Sequence, residues 1–217
     1  MQRGRPITRE HLAGDDVVAQ ARGLIGAEIA ITLAGATTRA RIVETEAYRG
    51  RDDAASHAFG MRRTKRTEVF FGPPGHAYVY LCYGIHRMFN VIAGPVGEPN
   101  AILVRAVAPC TEADAARMRE RRGRATTKRT LAGGPGLVCQ ALGIRLDHNG
   151  ADLFDSDGEI RLTGVFGALE AGAPGGQHAE GARITASARV GVDYAGEAAA
   201  WPWRFRESGS PYTSSAK

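Results

Sequence analysis

A chain of 217 residues, 43% hydrophobic and 24% charged, has the balance of a globular protein with enough residues for one good core and too few for two. Its net charge of +5 is carried by arginine, because the lysines are only Lys65, Lys128 and Lys217; it favours an anionic partner and suits phosphate, which a guanidinium grips with two hydrogen bonds. Cys82, Cys110 and Cys139 are odd in number and lack Cys-x-x-Cys spacing, which indicates neither a disulfide framework nor a zinc site and fits a reducing cytoplasm. No apolar run reaches membrane-spanning length and Met1 to Pro6 opens no apolar leader, so the expectation is a cytoplasmic protein, nucleoid-associated if bacterial, without membrane contact.

Thr8 can cap a short helix over residues 9–13, and Asp15-Asp16 a second over residues 17–24 that Gly26 ends. Residues 27–33 and 38–45 then read as a hairpin about Ala34-Gly35-Ala36. The second strand runs into Arg41 to His57, the stretch around which the chain is organised. Period-two alternation sends Glu44, Glu46 and Tyr48 to one face and Val43, Thr45 and Ala47 to the other. A carboxylate beside an aromatic ring suits acid-base chemistry on a flat substrate. The plainer reading of the same pattern is a pair of glutamates matched to arginines on a solvated face.

The segment Gly60 to Thr67 is a basic, turn-rich loop, in which Arg62, Arg63, Thr64, Lys65 and Arg66 can hold a phosphate backbone or simply face solvent. Phe70 to Gly75 reads as a rigid turn with exposed aromatics. It leads into a strand over Ala77 to Cys82, in which Tyr78 and Tyr80 share a face. Gly84 permits a tight bend that pushes the Tyr83 ring outward. Residues 88–93 and 101–107 form two more strands around a Gly/Pro loop. They set Asn90 and Arg105 among apolar neighbours, where each belongs either to a structural network or to a site.

Thr111 caps a helix through Arg122, and residues 121–129 form a second basic loop, solvated or facing phosphate. Gly133-Gly134-Pro135-Gly136 opens a helix ended by Gly143, without the Gly-Lys-Ser/Thr ending of a phosphate-binding loop. Asp155-Ser156-Asp157-Gly158 is a hairpin turn before Ile160 to Leu162. Residues 171–181 are a flexible excursion ahead of a strand over 183–190. No internal repeat is visible, so one domain over residues 1–217 is expected.

Taken in order, Glu44-Thr-Glu-Ala-Tyr48, Tyr78-Val-Tyr-Leu-Cys-Tyr-Gly84, Asn90, Leu103-Val-Arg-Ala106, Gly134-Pro-Gly136, Cys139-Gln-Ala-Leu142, Arg189-Val-Gly-Val192 and Gly209-Ser-Pro211 resemble the alkyladenine, or 3-methyladenine, DNA glycosylase family over nearly the whole chain. The resemblance implies an α+β fold: a single compact domain with a curved, largely antiparallel and partly open barrel-like sheet among helices, and neither metal nor cofactor. It implies a monomer that acts on double-stranded DNA, flips an alkylated or deaminated purine out of the stack and hydrolyses its bond to deoxyribose. Position by position, Glu46 resembles the base that activates water, and Arg105 a residue that helps hold that water and a backbone phosphate. Tyr48, His57 and Tyr80 resemble the walls that sandwich the flipped base. Asn90 resembles the gate against guanine's amine, and Tyr83 the wedge that fills the vacated stack. Electron-rich rings would favour a positively charged alkylated purine. Two other classes fit some of these residues. A non-catalytic binder of distorted DNA has no need of Glu46, and a nucleoside hydrolase has no need of the basic loops.

Overall fold

The computed structural model describes residues 6–123, 125–169 and 183–215; the 171–181 excursion lies outside the described residues. Strand β1 (Glu28–Leu33) turns through Ala34 and Gly35, both at positive φ, into β2 (Ala36–Arg49). Two such residues make the tight turn whose twist matches a hairpin. The loop is therefore two residues long, and Ala36 pairs with Leu33.

β2 is longer than the expected 38–45, because it has partners on both edges along its length. On one edge β5 (Asn100–Pro109) pairs antiparallel from Ala40 to Arg49. On the other, β1 covers the first half, and β8 (Arg204–Glu207) covers Glu44 to Glu46. Beyond these lie β3 (Ala77–Cys82) and β4 (His86–Ala93) next to β5, β6 (Ile160–Thr163) next to β1, and β7 (Ile184–Ser187) next to β8. Every pairing is antiparallel, and the main path β3-β4-β5-β2-β1-β6 has two ends, so among the described residues the sheet is open and not closed into a barrel.

Helices α1 (Val17–Gly23), α2 (Glu112–Arg122), α3 (Lys128–Ala132) and α4 (Pro135–Leu142) cover one face. Asp16 caps α1 by accepting from Val18 and Ala19, and Thr111 caps α2 by accepting from Asp114, as their side chains suggest. The main core joins Leu24, Ile25, Ile42, Phe89, Ile102, Met118 and Leu142. Among the described residues no helix is long and apolar enough to cross a membrane.

Four expectations change. The glutamates occupy no solvated face, since Ala40 to Ala47 are all buried and Glu44 and Glu46 have no exposure at all. Phe70 is not exposed but lies edge-on beneath Tyr78, with ring centroids 4.6 Å apart. The second basic loop is partly helical, because Thr127 accepts from the N–H of Thr130 and so starts α3. The late strand ends at Ser187 rather than residue 190, and the chain then crosses to the glutamates. β8 had no signal in a charged Arg-Phe-Arg-Glu run, yet both its ends are buried in ion pairs, Arg204 with Glu44 and Glu207 with Arg41.

Candidate active site

A bulge in β2 between Ile42 and Thr45 preserves the useful half of the alternation. Ile42 and Ala47 enter the main core and Thr45 donates to the Ala21 carbonyl of α1, while Glu44, Glu46 and Tyr48 turn the other way. Arg105 of β5 meets both carboxylates, with Nε donating to Glu44 Oε1 at 2.9 Å and Nη1 to Glu46 Oε2 at 3.2 Å. Its guanidinium is thus committed to the glutamates, which raises its pKa above the ordinary value against the opposing effect of burial. With Arg204 Nε on Glu44 at 2.7 Å, two acids face two guanidiniums, which is how buried charge becomes tolerable.

The two carboxylates differ in their remaining partners. Glu44 also accepts from the N–H and the hydroxyl of Ser214, each at 2.7 Å. Burial pushes its pKa up, but Arg105, Ser214 and Arg204 outweigh burial and hold it below the usual range. Glu46 accepts from the Tyr48 hydroxyl at 2.7 Å and from the Val190 N–H at 2.8 Å. Burial and the neighbouring Glu46 raise the Tyr48 pKa well above its ordinary value, so the phenol keeps its proton and donates it.

Tyr48, Arg105 and Val190 form part of the wall of a cavity of about 460 Å³, a size ordinary for small-molecule sites. Glu46 lies directly behind that wall. The cavity brings together Tyr48, His57, Tyr80, Asn90, Arg105 and Tyr83. Tyr48 is packed among Ala55, Val192, Ala195 and Ala198, whereas Tyr80 packs with Phe70, Tyr78 and Ile92, so the two rings arise from separate apolar clusters. Arg189 backs Tyr48, its guanidinium 4.7 Å from the ring centroid, and is itself paired with buried Asp53 at 2.5 Å. Asn90 is networked and also borders the cavity: its amide donates to the Tyr78 carbonyl at 3.1 Å, and it is among the lining residues.

His57 stands at the mouth, edge-on to Tyr80 at 4.6 Å, with Nδ1 3.1 Å from the Tyr78 hydroxyl. Part of the residue faces solvent, but the side chains packed round its ring desolvate it and the Arg66 cation adds to the effect, bringing its pKa from 6.5 down to about 4. Tyr83 is 92% exposed at the β3–β4 hairpin tip, with φ of 50° followed by Gly84 at 70°. The Ile85 N–H closes the turn on the Cys82 carbonyl at 3.1 Å. A non-glycine residue there is strained, and such strain gathers at functional sites. Gly136 of α4 braces this hairpin, since an added Cβ would come within 3.2 Å of His86.

The first basic loop divides. Arg62, Arg63, Thr64 and Lys65 stay outside the cavity, and Arg63 is already paired with Glu68 at 2.5 Å. Arg66, grouped with them by the sequence, is the one of the five that lines the cavity. Sequence reasoning assigned no role to Tyr78, the Val190 N–H, Asp53, Ser214 or Tyr194. The last is 72% exposed beside Tyr83 at the mouth.

The family model for methylpurine-DNA glycosylase matches residues 11–211. The chain belongs to that family. Relatives include proteins named "Putative 3-methyladenine DNA glycosylase" from Bacillus cereus strain ZK / E33L and Bacillus anthracis strain CDC 684, each 40% identical over 92% of this chain and 94% of their own. Another from Bacillus cereus strain B4264 is 41% identical over the same shares. Family membership makes the chain a DNA glycosylase of DNA repair, with DNA as its substrate.

Proposed function

We propose that this glycosylase flips a damaged purine out of duplex DNA into the aromatic cavity and hydrolyses its bond to deoxyribose with a water activated by Glu46, leaving an abasic site. The observation that carries the reading is a fully buried carboxylate, held by a phenol, a guanidinium and a backbone N–H, directly behind the cavity wall.

Extrusion of a base costs a few kcal/mol of unstacking, least for a damaged or mispaired one. The exposed Tyr83 ring fills the space left behind. Tyr48 and Tyr80 receive the base, and Asn90 disfavours guanine's exocyclic amine. When the glycosidic bond breaks, its electron pair leaves with the purine and the sugar gains oxocarbenium character. Glu46 stabilises that charge and takes a proton from the attacking water, which reaches it beside Tyr48, Arg105 and Val190.

The reading is of a monofunctional enzyme. A lyase needs an amine nucleophile, and among the described residues neither Lys65 nor Lys128 lines the cavity. The substrates are duplexes containing 3-methyladenine, 7-methylguanine, ethenoadenine or hypoxanthine. The test is single-turnover base release from such duplexes by wild type and Glu46→Gln. Release that depends on Glu46 supports the assignment. Equal release by both proteins rejects Glu46 as the base, and tight lesion binding without release by wild type would indicate a damage binder.

A further inference from the structure

The arginines around the cavity are not alike. Arg105 and Arg204 face Glu44 and Glu46, and Arg189 faces Asp53, so three guanidiniums meet three carboxylates. Arg66 is the surplus: among the described residues no carboxylate lies within ion-pair reach of it. Its guanidinium sits 5.0 Å from the Tyr80 ring centroid, Nε donates to the Tyr78 hydroxyl at 3.2 Å, and one Nη lies 3.5 Å from His57 Nε2. A cation with no carboxylate beside it, part of it open to solvent, therefore stands in the cavity wall, in contact with one of the rings meant to receive the base.

We infer that Arg66 makes this cavity select neutral, acceptor-bearing purines such as hypoxanthine over purines that carry a fixed positive charge. The inference rests on the glycosylase reading and narrows its substrate class. The physical grounds are threefold. The π-face of Tyr80 is already engaged by a cation, so it has less attraction left for a cationic base, and Arg66 repels such a base at close range. A guanidinium fork matches the paired O6 and N7 acceptors of a 6-oxopurine, whereas alkylation at N7 removes one of those acceptors. A neutral purine also leaves with its bonding electrons as a developing anion, which Arg66 stabilises in the transition state. A cationic purine leaves as a neutral molecule and gains nothing from this contact.

The test compares single-turnover release of hypoxanthine and 7-methylguanine from matched duplexes by wild type, Arg66→Gln and Arg66→Lys. It is read as the change in the ratio of the two rates relative to wild type, so that Asn90's effect on the guanine amine cancels. Arg66→Gln should slow hypoxanthine release by about 10- to 100-fold, below the roughly 10²- to 10³-fold lost with a buried charge-stabilising donor because Arg66 is partly open to solvent. It should leave 7-methylguanine release unchanged or faster. Arg66→Lys retains the charge but not the fork, so it should keep most of the discrimination against 7-methylguanine while releasing hypoxanthine more slowly than wild type.

An equal fall for both bases, together with a shallower dependence of binding on salt, would assign Arg66 to a backbone phosphate and overturn the inference while leaving the glycosylase reading intact. An unchanged ratio in both variants would overturn it as well. Release of neither base by wild type would reject the glycosylase reading, and the inference with it.

Discussion

Glu44 and Glu46 stand two residues apart on one strand, are equally buried and share Arg105, yet their remaining partners differ. Glu44 is closed in by Arg204 and by both donors of Ser214, neither of which is among the residues lining the cavity. The other partners of Glu46 are Tyr48 and Val190, which are themselves part of that wall. Glu44 thus joins the C-terminal segment to the sheet, while Glu46 is the carboxylate whose donors border the cavity, as the proposed activation of water requires. For a buried carboxylate, what decides between structure and chemistry is where its donors lead.

The strongest way to break this contrast is to neutralise each member in turn. Glu46→Gln should lower base release by about 10²- to 10⁴-fold, the usual contribution of a positioned base, with Arg105 still paired to Glu44. Glu44→Ala should instead unfold the protein more easily, by about 3–5 kcal/mol in denaturant titration, because it strips Arg204 of a buried partner. A Glu44→Ala protein as stable as wild type would end the structural assignment. Ser214→Ala sharpens the same point more gently. It removes the hydroxyl that bridges Glu44 and Arg204 and should cost about 1–3 kcal/mol in the same titration.

How much of this was legible depended on how local the cause was. Alternation along β2 correctly set Glu44, Glu46 and Tyr48 on one side, and Gly84 after Tyr83 correctly implied an outward ring. The division of labour between the glutamates was hidden, because Arg204 and Ser214 lie 160 and 170 residues further along the chain. Nor could the Val190 N–H be seen, since a backbone donor 144 residues away has no side-chain signature. The separate position of Arg66 was hidden for a related reason. The basic loop reads as one charge run, and only its folded path separates the arginine that enters the cavity from those that remain outside.

A second contrast, between the two ends of the cavity, leads to a smaller effect. The floor is buried and networked, whereas Tyr83 at the rim is almost fully exposed. Tyr83→Ala should therefore leave stability within about 0.5 kcal/mol of wild type. It should weaken binding to an intact lesion duplex by about tenfold, the loss expected for one stacking contact. A large fall in stability would mean that the ring braces the hairpin and does not serve as a free wedge.

The smallest expected effect distinguishes His57 from Glu44 through pH. The His57 pKa is about 4 in the folded protein against 6.5 when free, so below pH 6.5 the unfolded chain takes up the proton first. Stability should consequently decline as the pH falls from 6.5 and level off below about 4. The depressed pKa of Glu44 acts in a lower window, stabilising above the free value of 4.5 and lost as pH falls through the folded one. Between pH 6.5 and about 4 the melting temperature of His57→Gln should therefore drop less than that of wild type, and below about 4 the two should fall together. The ring is neutral through pH 5–8, so base release should show no His57-dependent limb there. A limb near pH 6.5 that vanishes in His57→Gln would mean that the ring is not desolvated at the cavity mouth.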